Sequence, residues 1–142
     1  MAFQNPSNDE LTRLLTDAAV IAMVGASSNP DRPSHHIMAR LQRAGYRVIP
    51  VNPRETEVLG ERAYESLADV PVKIDIVDVF RRPEDTPAIA DEAVKVGARA
   101  LWLQEGISND DAAARAQAGG LRVVMNKCIG ATHAALKIPA KS

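Results

Sequence analysis

The chain has 142 residues, 46% apolar and 25% charged, with 17 basic and 18 acidic side chains and a net charge of −1. That length fits a single domain over residues 1–142, and a near-neutral balance disfavours broad nucleic-acid binding, which needs a basic field. No apolar run reaches the roughly 18 residues of a membrane span, "MAFQNPSNDE" shows no secretory signal pattern, and the lone Cys128 has no partner for an internal disulfide, so a cytoplasmic protein is expected.

In chain order, a leading helix is read around 8–17 and "VIAMVGA" (20–26) is a continuous apolar strand. A helix over 33–44 begins at Pro33, aligns Ile37, Met38, Leu41 and Ala44, and stops at Gly45. "YRVIPV" (46–51) is the second strand. The stretch 57–70 is ambiguous: Val58-Leu59 reads as a short edge strand, with a short helix around Ser66–Asp69. "KIDIVDVF" (73–80) is followed by a helix over 83–96 that stops at Gly97, and "RALWLQ" (99–104) by one over 108–118. Ser108 is read as the N-cap of that last helix, with Asp110 and Asp111 in its first turn. "LRVVMN" (121–126) and a C-terminal segment after 130 complete the chain.

Alternating strands and helices predict a parallel sheet covered on both faces. The fold expected is a doubly wound, Rossmann-like, three-layer α/β/α domain with its core at about 15–135. Its strand order is expected to be 3-2-1-4-5-6, the short edge strand being third.

In such sheets ligands bind beyond the carboxyl ends of the strands, where the order reverses. Here that point lies between the strands ending at Gly25 and Phe80. Four segments meet there: Gly25-Ala26-Ser27-Ser28, Val51-Asn52-Pro53-Arg54, Phe80-Arg81-Arg82 and Gln104-Glu105-Gly106-Ile107. Small side chains admit phosphate to backbone amides, helix starts favour anions, and arginine forks suit phosphate oxygens. The dinucleotide fingerprint asks for three glycines in six residues and an acid after the second strand. Only Gly25 stands in the loop and Val51–Arg54 carries no carboxylate, which disfavours NAD. An arginine would meet the 2′-phosphate of NADP, so NADP stays open.

Other chemistry-bearing residues have plainer readings. His35 and His36 point about 100° apart on a helix, with Ala39 and Arg40 four residues on, and support no metal site. Asp75 and Asp78 are read as structural hydrogen-bonding groups, Cys128 as a small packed residue, and Trp102 as core or oligomer surface. Nothing in the sequence brings Cys128 and His133 together as a nucleophilic pair. No catalytic residue is assigned.

The run from "VGASSNPDRPSHHIMARLQRAGYRVIPVNPRETEVLGERAYESLADVP" through "DIVDVFRRPED", "ALWLQEGI" and "VVMNKC" resembles the small CoA-binding domain proteins. These are relatives of the N-terminal CoA-binding domain of succinyl-CoA synthetase α-subunits. The resemblance implies that Gly25, Ala26, Ser27 and Ser28 wrap the pyrophosphate or pantetheine arm of coenzyme A, with Arg32 and Ser34 helping to hold phosphate. It implies that Val51, Asn52 and Pro53 line the adenosine site, with Arg54 near the 3′-phosphate. Phe80 and Arg81 would flank the groove, and Gln104, Glu105 and Gly106 would form its far wall. The chain departs from the pattern at Thr132, where relatives often carry a glutamate before the histidine.

The function expected is binding of coenzyme A or an acyl-CoA by a stand-alone protein without its own catalytic machinery. Succinyl-CoA synthetase-like ligases need further domains, for which 142 residues leave no room. One alternative is an NADP-binding oxidoreductase or redox sensor, but Tyr46 and Tyr64 are followed four residues on by Pro50 and Ala68 rather than lysine. Another is a CoA-binding subunit of an acyl-CoA ligase, assembled in trans with a protein partner that supplies catalysis.

Overall fold

A computed structural model describes residues 3–141. Helix α1 (Asn8–Asp17) starts at a capping box, Ser7 and Glu10 each accepting from the other's backbone N–H, and buries Leu11 and Leu15. β1 (Val20–Val24) leads to α2 (Pro33–Arg43), bounded by the proline and glycine that mark it in the sequence. β2 (Arg47–Val51) is followed by the two-residue strands β3 (Glu57–Val58) and β4 (Glu61–Arg62). Then come β5 (Ile76–Val79), α3 (Thr86–Lys95), β6 (Ala100–Leu103), α4 (Asp110–Ala118), β7 (Arg122–Val124) and α5 (Ile129–Ala135).

The five long strands form one parallel sheet in the order β2-β1-β5-β6-β7. Successive side chains alternate between its faces. Ala22, Val24, Val77, Val79, Leu101 and Leu103 pack with Ile89, Ala93 and Ala113 of α3 and α4. Ile21, Met23, Ile76 and Trp102 pack on the other side with Leu15, Met38 and Ile129 of α1, α2 and α5. This is the expected three-layer, Rossmann-like arrangement, and the strand order reverses between β1 and β5 as expected. Trp102 is core, fully buried, its Nε1 donating to the Lys127 carbonyl at 2.9 Å. Among the described residues no helix is long and apolar enough to cross a membrane.

Two local expectations are corrected. The segment at Val58-Leu59 does not extend the sheet as a third strand; β3 and β4 pair antiparallel with each other around Leu59 and Gly60, both at positive φ. The position outside β2 holds a single bridge instead, with Tyr64 N donating to Pro50 O at 3.0 Å and Asn52 N to Tyr64 O at 2.8 Å. Pro50 turns outward the place where an N–H would be, so a longer ladder cannot form there. The N-cap of α4 is Asn109 rather than Ser108: its Oδ1 accepts from Ala112 N at 2.9 Å while its Nδ2 donates to the Pro83 carbonyl at 3.0 Å. That second bond to a distant turn favours Asn109 over its neighbour.

Candidate functional site

At the reversal point Gly25 lies between two strand ends. Its N–H donates to the Val51 carbonyl at 2.9 Å, and Phe80 N donates to the Val24 carbonyl at 2.8 Å. The Gly25 φ is +91°, and a Cβ there would stand 2.2 Å from the Phe80 carbonyl oxygen. Only glycine lets β1 leave the sheet here while keeping the end of β5 against it. One glycine of the dinucleotide fingerprint is thus set by geometry, and the loop that follows is shaped without the others.

That loop is held by side chains bonding to backbone. Asn29 N donates to Ser27 Oγ at 3.0 Å, Asp31 N to Asn29 Oδ1 at 2.9 Å, and His35 Nδ1 to the Ser27 carbonyl at 3.0 Å. From the end of β2, Asn52 Nδ2 donates to the Ala26 carbonyl at 2.9 Å, and Arg54 N donates to Asn52 Oδ1 at 3.0 Å. Asn52 therefore fixes the spacing between two of the expected ligand segments as well as ending its own strand. Pro53 and Arg54 are exposed, Val51 and Ala26 are buried, and Ser34 is buried at the second position of α2.

Residues on the far side are tied in the same way. Gln104 is buried, and its Oε1 accepts from Ile129 N at 3.0 Å, which fastens the start of α5 to the end of β6. Gly106 N donates to Asn126 Oδ1 at 2.7 Å, and Asn126 N to the Ile107 carbonyl at 3.0 Å. Glu105 is exposed beside this bridge. Asn126, at φ 57°, was not among the expected site residues. Its signal was an asparagine just past the last strand, a residue type that tolerates the left-handed region.

Charge is distributed unevenly along this edge. Arg82 is paired with Glu84 and Asp85, whereas Arg32, Arg54 and Arg81 form no ion pair among the described residues. The start of α2 has neither a side-chain cap nor an acid in its first turn, while α1 and α4 have both. The positive end of its dipole has no first-turn acid to offset it, and its N-cap residue is the cation Arg32.

A second residue that the sequence pattern does not single out is Glu55, one position beyond Val51-Asn52-Pro53-Arg54. Its carboxylate reaches back to Ser28, accepting from the backbone N–H at 2.8 Å and from the hydroxyl at 2.8 Å. A carboxylate thus does stand past the second strand, turned onto the first loop.

Asp78 is corrected from hydrogen-bonded to unpartnered. It lies on β5 between Met23 and Trp102, fully buried, with no hydrogen bond to either carboxyl oxygen, and burial holds its pKa well above the usual carboxylate range. Asp75 behaves as expected, its Oδ2 accepting from Ala19 N at 2.8 Å and Val20 N at 2.9 Å. Cys128 and His133 have separate partners. Cys128 Sγ accepts from Ala131 N at the start of α5, while the His133 ring meets Tyr46 edge-on at 5.7 Å. Burial, then the charges of Lys141 and Arg40, lower the His133 pKa.

A cavity of about 430 Å³ opens at the opposite, amino-terminal edge, lined by Arg13, Asp17, Asp75, Arg99 and Arg122 among others. Four of its charged residues are matched within the chain, Arg122 with Glu10 at 2.9 Å and Arg99 with Asp75 at 3.8 Å, while Arg13 and Asp17 form no ion pair among the described residues. The candidate site is placed at the carboxyl edge, where the four expected segments follow the strand ends and Arg32, Arg54 and Arg81 form no ion pair among the described residues.

Residues 19–134 match the sequence model of a family described as a CoA binding domain. The chain is 42% identical over 134 residues to YneT of Bacillus subtilis, covering 94% of this chain and 99% of that one. A solved structure of a hypothetical protein from Pyrococcus horikoshii superposes with a TM-score of 0.90 at 37% identity, covering 96% of this chain and 99% of that one. A shorter likeness, 39% identity over 57 residues, is to the α-subunit of an ADP-forming acetate–CoA ligase of Pyrococcus furiosus, of which it spans 12%.

Proposed function

The chain belongs to the CoA-binding domain family, and we propose that it binds coenzyme A or an acyl-CoA across the carboxyl edge of its sheet. The observation that carries this reading is the set of arginines, Arg32, Arg54 and Arg81, that follow the carboxyl ends of β1, β2 and β5 and form no ion pair among the described residues. Coenzyme A brings a pyrophosphate and a 3′-phosphate, and charge-assisted bonds from arginine are the strong ones. Gly25, Ala26, Ser27 and Ser28 lie against the pyrophosphate or pantetheine arm, with Arg32 and Ser34 toward phosphate. Val51, Asn52 and Pro53 line the adenosine, and Arg54 meets the 3′-phosphate. Phe80 and Arg81 flank the groove, with Gln104, Glu105 and Gly106 beyond. Because the Gln104 side-chain Oε1 accepts from Ile129 N, its amide Nε2 is oriented as a donor.

The role is that of a stand-alone cytoplasmic binding protein. A second reading, a CoA-binding subunit that works with a separate ligase partner, is favoured by the likeness to the Pyrococcus furiosus α-subunit. Calorimetric titration with coenzyme A, dephospho-CoA, acetyl-CoA, NAD and NADP tests the ligand. Micromolar binding of coenzyme A is expected, about tenfold weaker without the 3′-phosphate, and Arg54→Ala erases that difference. No heat with coenzyme A, together with binding of NADP, overturns the assignment.

A further inference from the structure

The loop after β1 already holds an anion, and it is the chain's own. Both donors of Ser28, the backbone N–H and the hydroxyl, point at the Glu55 carboxylate, each at 2.8 Å. Convergent N–H and O–H donors beside a helix start are what a phosphoryl group uses when it docks on such a loop. We infer that Glu55 is an affinity-setting residue, an internal occupant of Ser28 that a phosphate of the bound nucleotide must displace. The inference rests on the proposed site and adds to it a residue outside the expected set.

Three features make Glu55 a displaceable occupant rather than a brace. The turn that carries it is fastened through other groups, Glu55 N donating to the Asn52 carbonyl at 3.2 Å and Asn52 Nδ2 to the Ala26 carbonyl at 2.9 Å. Releasing the side chain leaves those bonds intact. Ser28 is exposed and Glu55 only half-buried, so the freed carboxylate rotates into water without uncovering any core. No cation pairs with Glu55 among the described residues, so nothing besides Ser28 holds it over the loop. Ser28 offers one N–H and one O–H, and two anions cannot both take them. A ligand that binds only the open form sees its affinity reduced by the fraction of molecules in that form. Glu55 thereby selects for ligands whose phosphates compete well at Ser28, and leaves a phosphate-free fragment such as pantetheine unaffected.

The test is calorimetric titration of the wild type, Glu55→Ala and Glu55→Gln with coenzyme A, inorganic pyrophosphate and pantetheine. The Ser28 amide proton is followed by NMR, and folding is checked by denaturant unfolding. Removing the occupant tightens coenzyme A and pyrophosphate by roughly three- to tenfold in Glu55→Ala, with Glu55→Gln between, and leaves pantetheine unchanged. Coenzyme A binding only in Glu55→Ala also supports the inference. Unchanged or weaker binding in a folded Glu55→Ala, with wild type binding normally, overturns it and leaves the coenzyme A reading standing. If neither protein binds coenzyme A, the proposed function itself fails and the inference goes with it. Should Glu55→Ala fail to fold, the carboxylate is a brace and the inference is wrong.

Discussion

The two edges of the sheet handle charge in opposite ways. At the amino edge, Asp75 accepts from the Ala19 and Val20 amides and faces Arg99, while Arg122 reaches Glu10 of the capping box. Those charges tie the start of β5 to the starts of β1 and β6, and β7 to α1. At the carboxyl edge the polar bonds run mainly from side chain to loop backbone, and Arg32, Arg54 and Arg81 are left without ion pairs among the described residues. What marks the carboxyl edge is charge that the fold itself does not use.

The sharpest way to break that comparison is at Gly25, where the carboxyl edge does depend on a structural contact. Gly25→Ala combines a φ of +91° with a Cβ 2.2 Å from the Phe80 carbonyl oxygen. Strain and overpacking of this kind cost about 2–5 kcal/mol together. Denaturant unfolding should show that loss, and coenzyme A binding should fall with it because the end of β5 is displaced. Asp75→Ala is the counterpart at the other edge. It strands two backbone donors that now bond a charged acceptor, for a cost of about 2–3 kcal/mol. Coenzyme A affinity of the folded variant should be unchanged. A drop in affinity there would mean the two edges are coupled and the division drawn above is wrong.

Much of this organisation was legible in the sequence where the signal was local. Pro33 and Gly45 bracket α2, and continuous apolar runs place all five parallel strands. The sheet-edge segment was not legible, because two-residue strands have no periodicity and the outward Pro50 limits pairing through a neighbour 14 residues away. The expected ligand segments do lie along one edge, since parallel strands deliver their ends together. Glu55 escaped because its partner is Ser28, 27 residues earlier, and no spacing rule connects a turn glutamate to a loop serine. Asp78 escaped for a related reason. A strand covered on both faces shows an aspartate's position but not whether a donor waits opposite it.

Asp78, one residue before the carboxyl end of β5, sharpens the comparison by showing a polar group that the fold leaves without a hydrogen-bond partner. Both carboxyl oxygens are buried without partners between Met23 and Trp102, and desolvation raises the pKa well above its ordinary 3.8. A raised pKa in the folded state means that the native protein binds the proton more tightly than the unfolded chain does. The associated stability is full below about 3.8 and declines as pH rises from there toward the folded value. Wild type should therefore lose stability relative to Asp78→Asn as the pH is taken from 4 to 8. Asp78→Val, which replaces the unpaired group with an apolar side chain suited to a strand, should gain about 1–3 kcal/mol at neutral pH. Denaturant unfolding of the three proteins across that range checks both statements. A wild type whose stability tracks Asp78→Asn at every pH would mean that the carboxyl group finds a partner in solution, and that the centre of the sheet is as well satisfied as its amino edge.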